Sequence, residues 1–152
     1  MTYLLDTNIL VFMIRGLKQR THPNAQQRIG QAIAIRIFDR ARKEQRAGHT
    51  VAISAITVAE LNFGAWSSRH PAELASTQQA IAPFDKLPFD ADACAKQYGR
   101  VRHLLESSGK PIGSFDLLIA AHGLALDATL VTNNVSEFSR VPGLICEDWT
   151  AN

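Results

Sequence analysis

A chain of 152 residues holds one domain, residues 1–152, with little room for a second, and at that length folding buries about 70% of the unfolded surface, so no covalent staple is needed. A hydrophobic fraction of 46% and a charged fraction of 20% fit a globular chain; no apolar stretch approaches the ~18 residues of a membrane span, and no basic-then-apolar leader opens the sequence. The net charge of +2 hides an asymmetry, with nine Lys/Arg against Asp39 and Glu44 in residues 15–46 and an acidic remainder, which points either to a polyanionic partner or to a solvated helix face.

In chain order, TYLLD reads as a short buried strand and NILVFMI as a helix that follows it at once. Residues 24–47 read as a long helix, with Asn24 and Gln27 spaced as a capping box and Gly48 as the stop. Ile29, Ile33, Ile37 and Ala41 form its apolar stripe, and Arg28, Arg42, Lys43 and Arg46 lie opposite. VAISA is a β-branched buried strand, followed by a helix from about Val58 to Trp66; Pro71 opens another that ends near Pro83. DKLP offers a short strand. Asp90 caps a helix with Ala91, Cys94, Ala95, Tyr98, Val101 and Leu105 at helical spacing and Gly109 at its end. Ser114 begins the helix FDLLIAAHGLAL, ATLVT is a strand, and GLICE holds a last one. Short apolar strands alternating with helices predict an α/β fold on a mainly parallel sheet.

In such a sheet ligands collect beyond the carboxyl ends of the strands. Asp6 falls where the first strand ends, Glu60 in the first turn after VAISA, and Asp116 in the first turn of the helix that Ser114 opens. Each has an ordinary explanation: a cap for Asp6, a Thr57-x-x-Glu60 capping box, and the helix dipole for Asp116. Those explanations leave unexplained why all three acids border buried elements. Two carboxylates ~4 Å apart repel by about 4 kcal/mol at an effective dielectric of ~20, so a convergent set must bind protons or a cation. Oxygen-only ligands suit Mg²⁺, with Mn²⁺ as a substitute.

The blocks LLDTNIL, ITVAEL, PIGSFDLLIAAH and LVTNNVSEF, with the tail RVPGLICEDW, resemble the PIN-domain ribonucleases, specifically the VapC-type toxins of bacterial toxin–antitoxin pairs. The likeness runs through residues 3–14 and 51–149. It implies a three-layer fold whose mainly parallel central sheet has four to five strands flanked by helices. It implies Mg²⁺- or Mn²⁺-dependent endoribonuclease activity in the cytoplasm, restrained by a cognate antitoxin, with the toxin as a homodimer. By resemblance the metal-binding acids fall on Asp6, Glu60 and Asp116. A fourth position, often acidic in the family, falls on Asn134, Thr132 matches a hydroxyl near the site, and Glu137 is a nearby substitute acid. The basic segment 15–48 is longer than in many relatives, and its role does not carry over.

Two other readings remain at this point: a PIN-like protein that binds RNA or a partner without cleaving, kept open by Asn134, and a structure-specific DNA nuclease. The five histidines show no i, i+4 pairing, which disfavours zinc, and His122 within an apolar helix reads as a hydrogen-bonded structural residue. Cys94 and Cys146 lack metal-type spacing and read as core residues in a reducing compartment. Trp66 and Trp149 are expected to be partly buried against the core or a partner.

Overall fold

Strand β1 (Thr2–Leu5) is the middle of a five-stranded parallel sheet in the computed structural model, which describes residues 1–151. On one side of β1 lie β2 (Thr50–Ser54) and then β3 (Asp85–Leu87); on the other lie β4 (Thr129–Val131) and then β5 (Ile145–Glu147). Leu5 is in register with Ile53 on one side and Val131 on the other, so the carboxyl ends of the three central strands form one level rim. Strand order therefore reverses beside β1, between it and β4, which makes this rim the topological switch point where α/β sheets bind ligands.

The pleat of β1 divides the core in two. Tyr3 and Leu5 face a layer built by Ile9, Leu10 and Met13 of α1 (Thr7–Gly16) and by Ile37 and Ala41 of α2 (Ala25–Arg46). Leu4 and Leu130 face the opposite layer, with Val101 and Leu105 of α5 (Ala93–Ser107) and Leu117 and Ile119 of α6 (Ser114–Ala125). Period-2 side-chain alternation thus turns a continuous apolar run into a strand buried on both faces. Between these layers in sequence come α3 (Ala55–Ser67) and α4 (Pro71–Ile81), and the short α7 (Val135–Phe138) follows β4. The three-layer parallel architecture expected from the sequence is present.

Local signals explain most boundaries. Asn24 and Gln27 form a complete capping box at α2, Pro71 occupies the first turn of α4, and Gly48 and Gly109, both at positive φ, follow the ends of α2 and α5. Gly16 answers a packing demand instead. A Cβ there would meet the Ala34 Cβ and the Gly30 carbonyl oxygen at 2.5 Å, so α1 and α2 cross too closely for any other residue.

Several sequence expectations change. Ile29 is 54% exposed, and the buried stripe of α2 runs through Ala34, Ile37 and Ala41 with Ile33 partly buried beside it, because the early part of the helix meets α1 through the small residues Gly30 and Ala34. Ala91 and Ala95 are exposed, and Asp90 receives the backbone N–H groups of Asp92 and Ala93 in a turn just before α5. Both cysteines are free. Trp149 is buried against Tyr3, with ring centroids 5.3 Å apart, whereas Trp66 is 74% exposed. Among the described residues no helix is long and apolar enough to cross a membrane.

Candidate active site: an acidic crevice at the switch point

Asp6 is the residue that follows β1, and its backbone N–H extends the ladder to the Val131 carbonyl at 2.9 Å. It occupies the N-cap position of α1, yet its carboxylate makes no capping hydrogen bond. The capping explanation therefore fails for Asp6. Its Oδ2 instead accepts a 2.8 Å hydrogen bond from the Thr132 hydroxyl, and the residue is 1% exposed. Burial pushes its pKa up; the bonds from Thr132 and the Thr7 backbone pull it down, and the charges of Glu60 and Glu137 raise it again.

Glu60 is not in a capping box either. The N-cap of α3 is Ser54, whose side chain accepts from the Ile56 N–H, and Thr57 is buried inside the helix. That moves Glu60 from the first turn to the second, where its Oε1 accepts a 2.7 Å hydrogen bond from the Thr7 hydroxyl. Thr7 thus ties the acid on α3 to the first residue of α1, next to Asp6. The DTN block owes its threonine to this bond.

Asp116 lies in the first turn of α6, half-buried, with its pKa raised to about 6. Burial is the largest cause, followed by the charges of Asp6, Glu137 and Glu60. Each of those acids is close enough to be felt, so the three residues expected at one rim do share one field.

At the fourth position the acid nearby in sequence, Glu137, lies beside Asn134. Asn134 donates its amide N–H to Glu137 Oε2 at 2.7 Å and directs its amide toward that acid. Glu137 Oε1 accepts the backbone N–H of Gly113 at 3.1 Å. These two bonds, that from Asn134 foremost, hold the Glu137 carboxyl below its ordinary range, so it remains an anion facing Asp6 and Asp116. The fourth charge at the crevice comes from Glu137, and Asn134 steadies it. Thr132 serves twice, since its Oγ1 also accepts the Asn134 backbone N–H at 3.0 Å. Its chain of bonds runs from Asp6 through Thr132 and Asn134 to Glu137.

Among the described residues no three Asp, Glu, His or Cys side chains already close into a ligand cage. The donor set still fits a hard cation. Its charged donors are carboxylate oxygens, Asp6 and Asp116 are both pushed toward holding protons, and no basic side chain is paired with Asp6, Glu60 or Asp116. Mg²⁺ takes few protein carboxylates and keeps several waters, so an open arrangement of this kind suits it better than a closed cage.

A parallel α/β sheet with acids gathered at its switch point is the arrangement in which such folds place their ligand sites. A PIN-domain family model matches residues 3–144. Ribonuclease VapC2 of Rickettsia felis is 37% identical over 150 residues, covering 98% of each chain, and the tRNA(fMet)-specific endonuclease VapC of Shigella flexneri is 33% identical, covering 97% of this chain and 98% of that one. The solved VapBC2 from Rickettsia felis, bound to a DNA fragment from its promoter, superposes with a TM-score of 0.80 at 35% identity, covering 98% of this chain and 99% of that one. The chain belongs to the PIN-domain family and, within it, to the VapC-type ribonucleases.

Proposed function

We propose that Asp6, Glu60 and Asp116 hold a divalent cation, Mg²⁺ or Mn²⁺, against a phosphodiester of RNA, with Glu137 completing the negative field. The protein is an endoribonuclease of the toxin–antitoxin type. The observation that carries the metal reading is the raised pKa of the buried Asp6 and of Asp116 in a crevice without a paired cation. Burial first, and the neighbouring carboxylates after it, hold both acids against their ordinary ionisation, a cost that a divalent ion would offset on binding.

The chain's own residues supply position. Thr132 orients Asp6, Thr7 orients Glu60, and Asn134 with the Gly113 N–H fixes Glu137. A divalent cation supplies acidification of a water and stabilisation of charge on the phosphoryl oxygens. The scissile phosphate is drawn into the crevice against the acids' repulsion, which makes the site dependent on that cation for binding as well as for chemistry.

The relatives named VapBC are two-component assemblies, and we assign this chain a cognate antitoxin as its protein partner, acting in the cytoplasm. A basic antitoxin side chain entering the crevice neutralises the same charge that the cation does. Phe63 and Trp66, 75% and 74% exposed on α3, offer apolar surface for a homodimer.

Purified protein stripped with chelator is expected to leave single-stranded RNA intact and to cleave it on addition of Mg²⁺ or Mn²⁺, while sparing DNA of the same sequence. Cleavage that persists in chelator contradicts the metal reading. Binding of RNA without cleavage in any divalent ion favours a non-catalytic role, and preferential cutting of structured DNA favours the DNA nuclease.

A further inference from the structure

His122 lies outside the acid cluster yet joins the two helices that carry half of it. It sits on α6, six residues beyond Asp116, and is fully buried. Its Nδ1 is 2.8 Å from Oγ of Ser54, which is also fully buried. Ser54 ends β2 and is the N-cap of α3, the helix of Glu60, and its Oγ accepts the Ile56 N–H at 3.0 Å.

One arrangement uses the serine hydroxyl as both acceptor and donor. A serine hydroxyl has one proton and two lone pairs. With one lone pair taken by the Ile56 N–H, the polar neighbour placed to take the hydroxyl proton is Nδ1. The ring is then neutral with its proton on Nε2. Burial, which lowers the ring pKa, agrees with a neutral imidazole. Nε2 has no hydrogen-bond partner among the described residues, and the ring instead meets the Phe89 ring edge-on, with centroids 5.7 Å apart. A buried unpartnered N–H costs free energy that an apolar side chain of the same size would avoid. An imidazole at this place therefore implies that the bond at Nδ1 matters.

We propose that the Ser54–His122 hydrogen bond is a positioning bridge: it locks α6 to the start of α3 and so fixes where Asp116 stands relative to Glu60. The proposal rests on the reading of those carboxylates as metal ligands. The two acids repel one another, and neither carries a direct bond to the other's helix. Main-chain packing alone leaves their separation soft. A buried side-chain bond between the helices makes it stiff.

The test is the Mn²⁺ dependence of RNA cleavage in Ser54→Ala, which removes the hydroxyl, His122→Phe, which removes Nδ1, and Ser54→Thr, which keeps the hydroxyl. Ser54→Ala and His122→Phe are expected to raise the half-saturating Mn²⁺ concentration by about tenfold or more. At saturating Mn²⁺, KM for RNA and most of kcat should return to the wild-type values. Ser54→Thr should remain near wild type. Folded variants with the wild-type Mn²⁺ requirement overturn the bridge while the site reading stands; a wild-type protein with no metal-dependent cleavage overturns the site reading itself. Should the variants fail to fold, NMR spectra of the wild-type imidazole decide: a neutral ring whose Nδ1 is hydrogen-bonded is expected, and an Nδ1 without a hydrogen bond or a charged ring overturns the proposal.

Discussion

Two groups of buried acids in this protein have opposite surroundings. At the switch point Asp6 and Asp116 sit among other carboxylates with no paired cation, and both pKa values are raised. Near the end of α2, Glu44 is also buried, at 7% exposure, but His49 Nδ1 lies 2.8 Å from its Oε2 and Arg40 Nε lies 2.6 Å from its Oε1. Its pKa is lowered, with the His49 hydrogen bond as the largest cause. Arg40 also spans to Glu147 and lies over the Trp149 ring, so this second group pins the chain's last strand to α2. In the proposed reading, the same side-chain chemistry holds the fold in one place and attracts a cation in the other. What separates them is whether the compensating charge belongs to the chain.

The sharpest way to break that contrast is to neutralise the crevice. Asp6→Asn and Asp116→Asn should each lower metal-dependent RNA cleavage by more than about 100-fold, beyond the usual cost of losing only an outer hydrogen-bond partner of a metal ligand. Asp116→Asn should also raise the thermal midpoint of the metal-free protein, because it removes a carboxylate whose charge is disfavoured by burial and then by its acidic neighbours. Loss of activity with loss of stability would mean that the acids are structural after all.

Neutralising the paired acid should do the reverse. Glu44→Gln is expected to destabilise the fold by about 1–2 kcal/mol, since Arg40 is part exposed and solvent screens its share, and to leave the cleavage rate of the folded fraction unchanged. Urea unfolding and steady-state cleavage measure the two effects separately.

Acid titration distinguishes the groups without mutation. Asp116 takes up its proton at about pH 6 when folded and near 3.8 when unfolded, so between those values the native state binds more protons. Stability of the metal-free protein from this group therefore falls as pH rises from about 4 through about 6. Glu44 has the opposite sign: its contribution is present above its ordinary pKa of 4.5 and is lost as pH falls through its lowered native value. Subtracting the unfolding profiles of Asp116→Asn and Glu44→Gln from wild type should give slopes of opposite sign. Slopes of one sign would erase the distinction.

The smallest expected effect lies on α2. Arg42, Lys43 and Arg46 are exposed, with Arg42 against the Phe38 ring, and read as a solvated face. Reversing all three should change RNA affinity by less than about fivefold, the scale of exposed ion pairs, and leave the salt slope alone. A reduced slope would assign the helix to RNA steering.

Strand and helix order was legible because β-branched runs, the Asn24–Gln27 box and Pro71 are local signals whose partners lie within a few residues. The site was legible as a set of acids and a family resemblance, and illegible as a set of bonds. Whether Asp6 caps α1 depends on Thr132, 126 residues away, and the capping box at Glu60 dissolved because Ser54 started the helix earlier. Glu137 was legible as the substitute acid, but the bond by which Asn134 steadies it forms across the single turn of α7, too short to leave a periodic pattern. Trp66 and Trp149 have the same local character in sequence; only the fold places one on the surface and the other against Tyr3.

Calorimetric titration of Mn²⁺ into the metal-free protein addresses the central claim most directly. The account predicts one ion per chain, with binding that weakens as pH falls through about 6 and disappears in Asp6→Asn. An Asp6→Asn protein that binds Mn²⁺ as wild type does would contradict it.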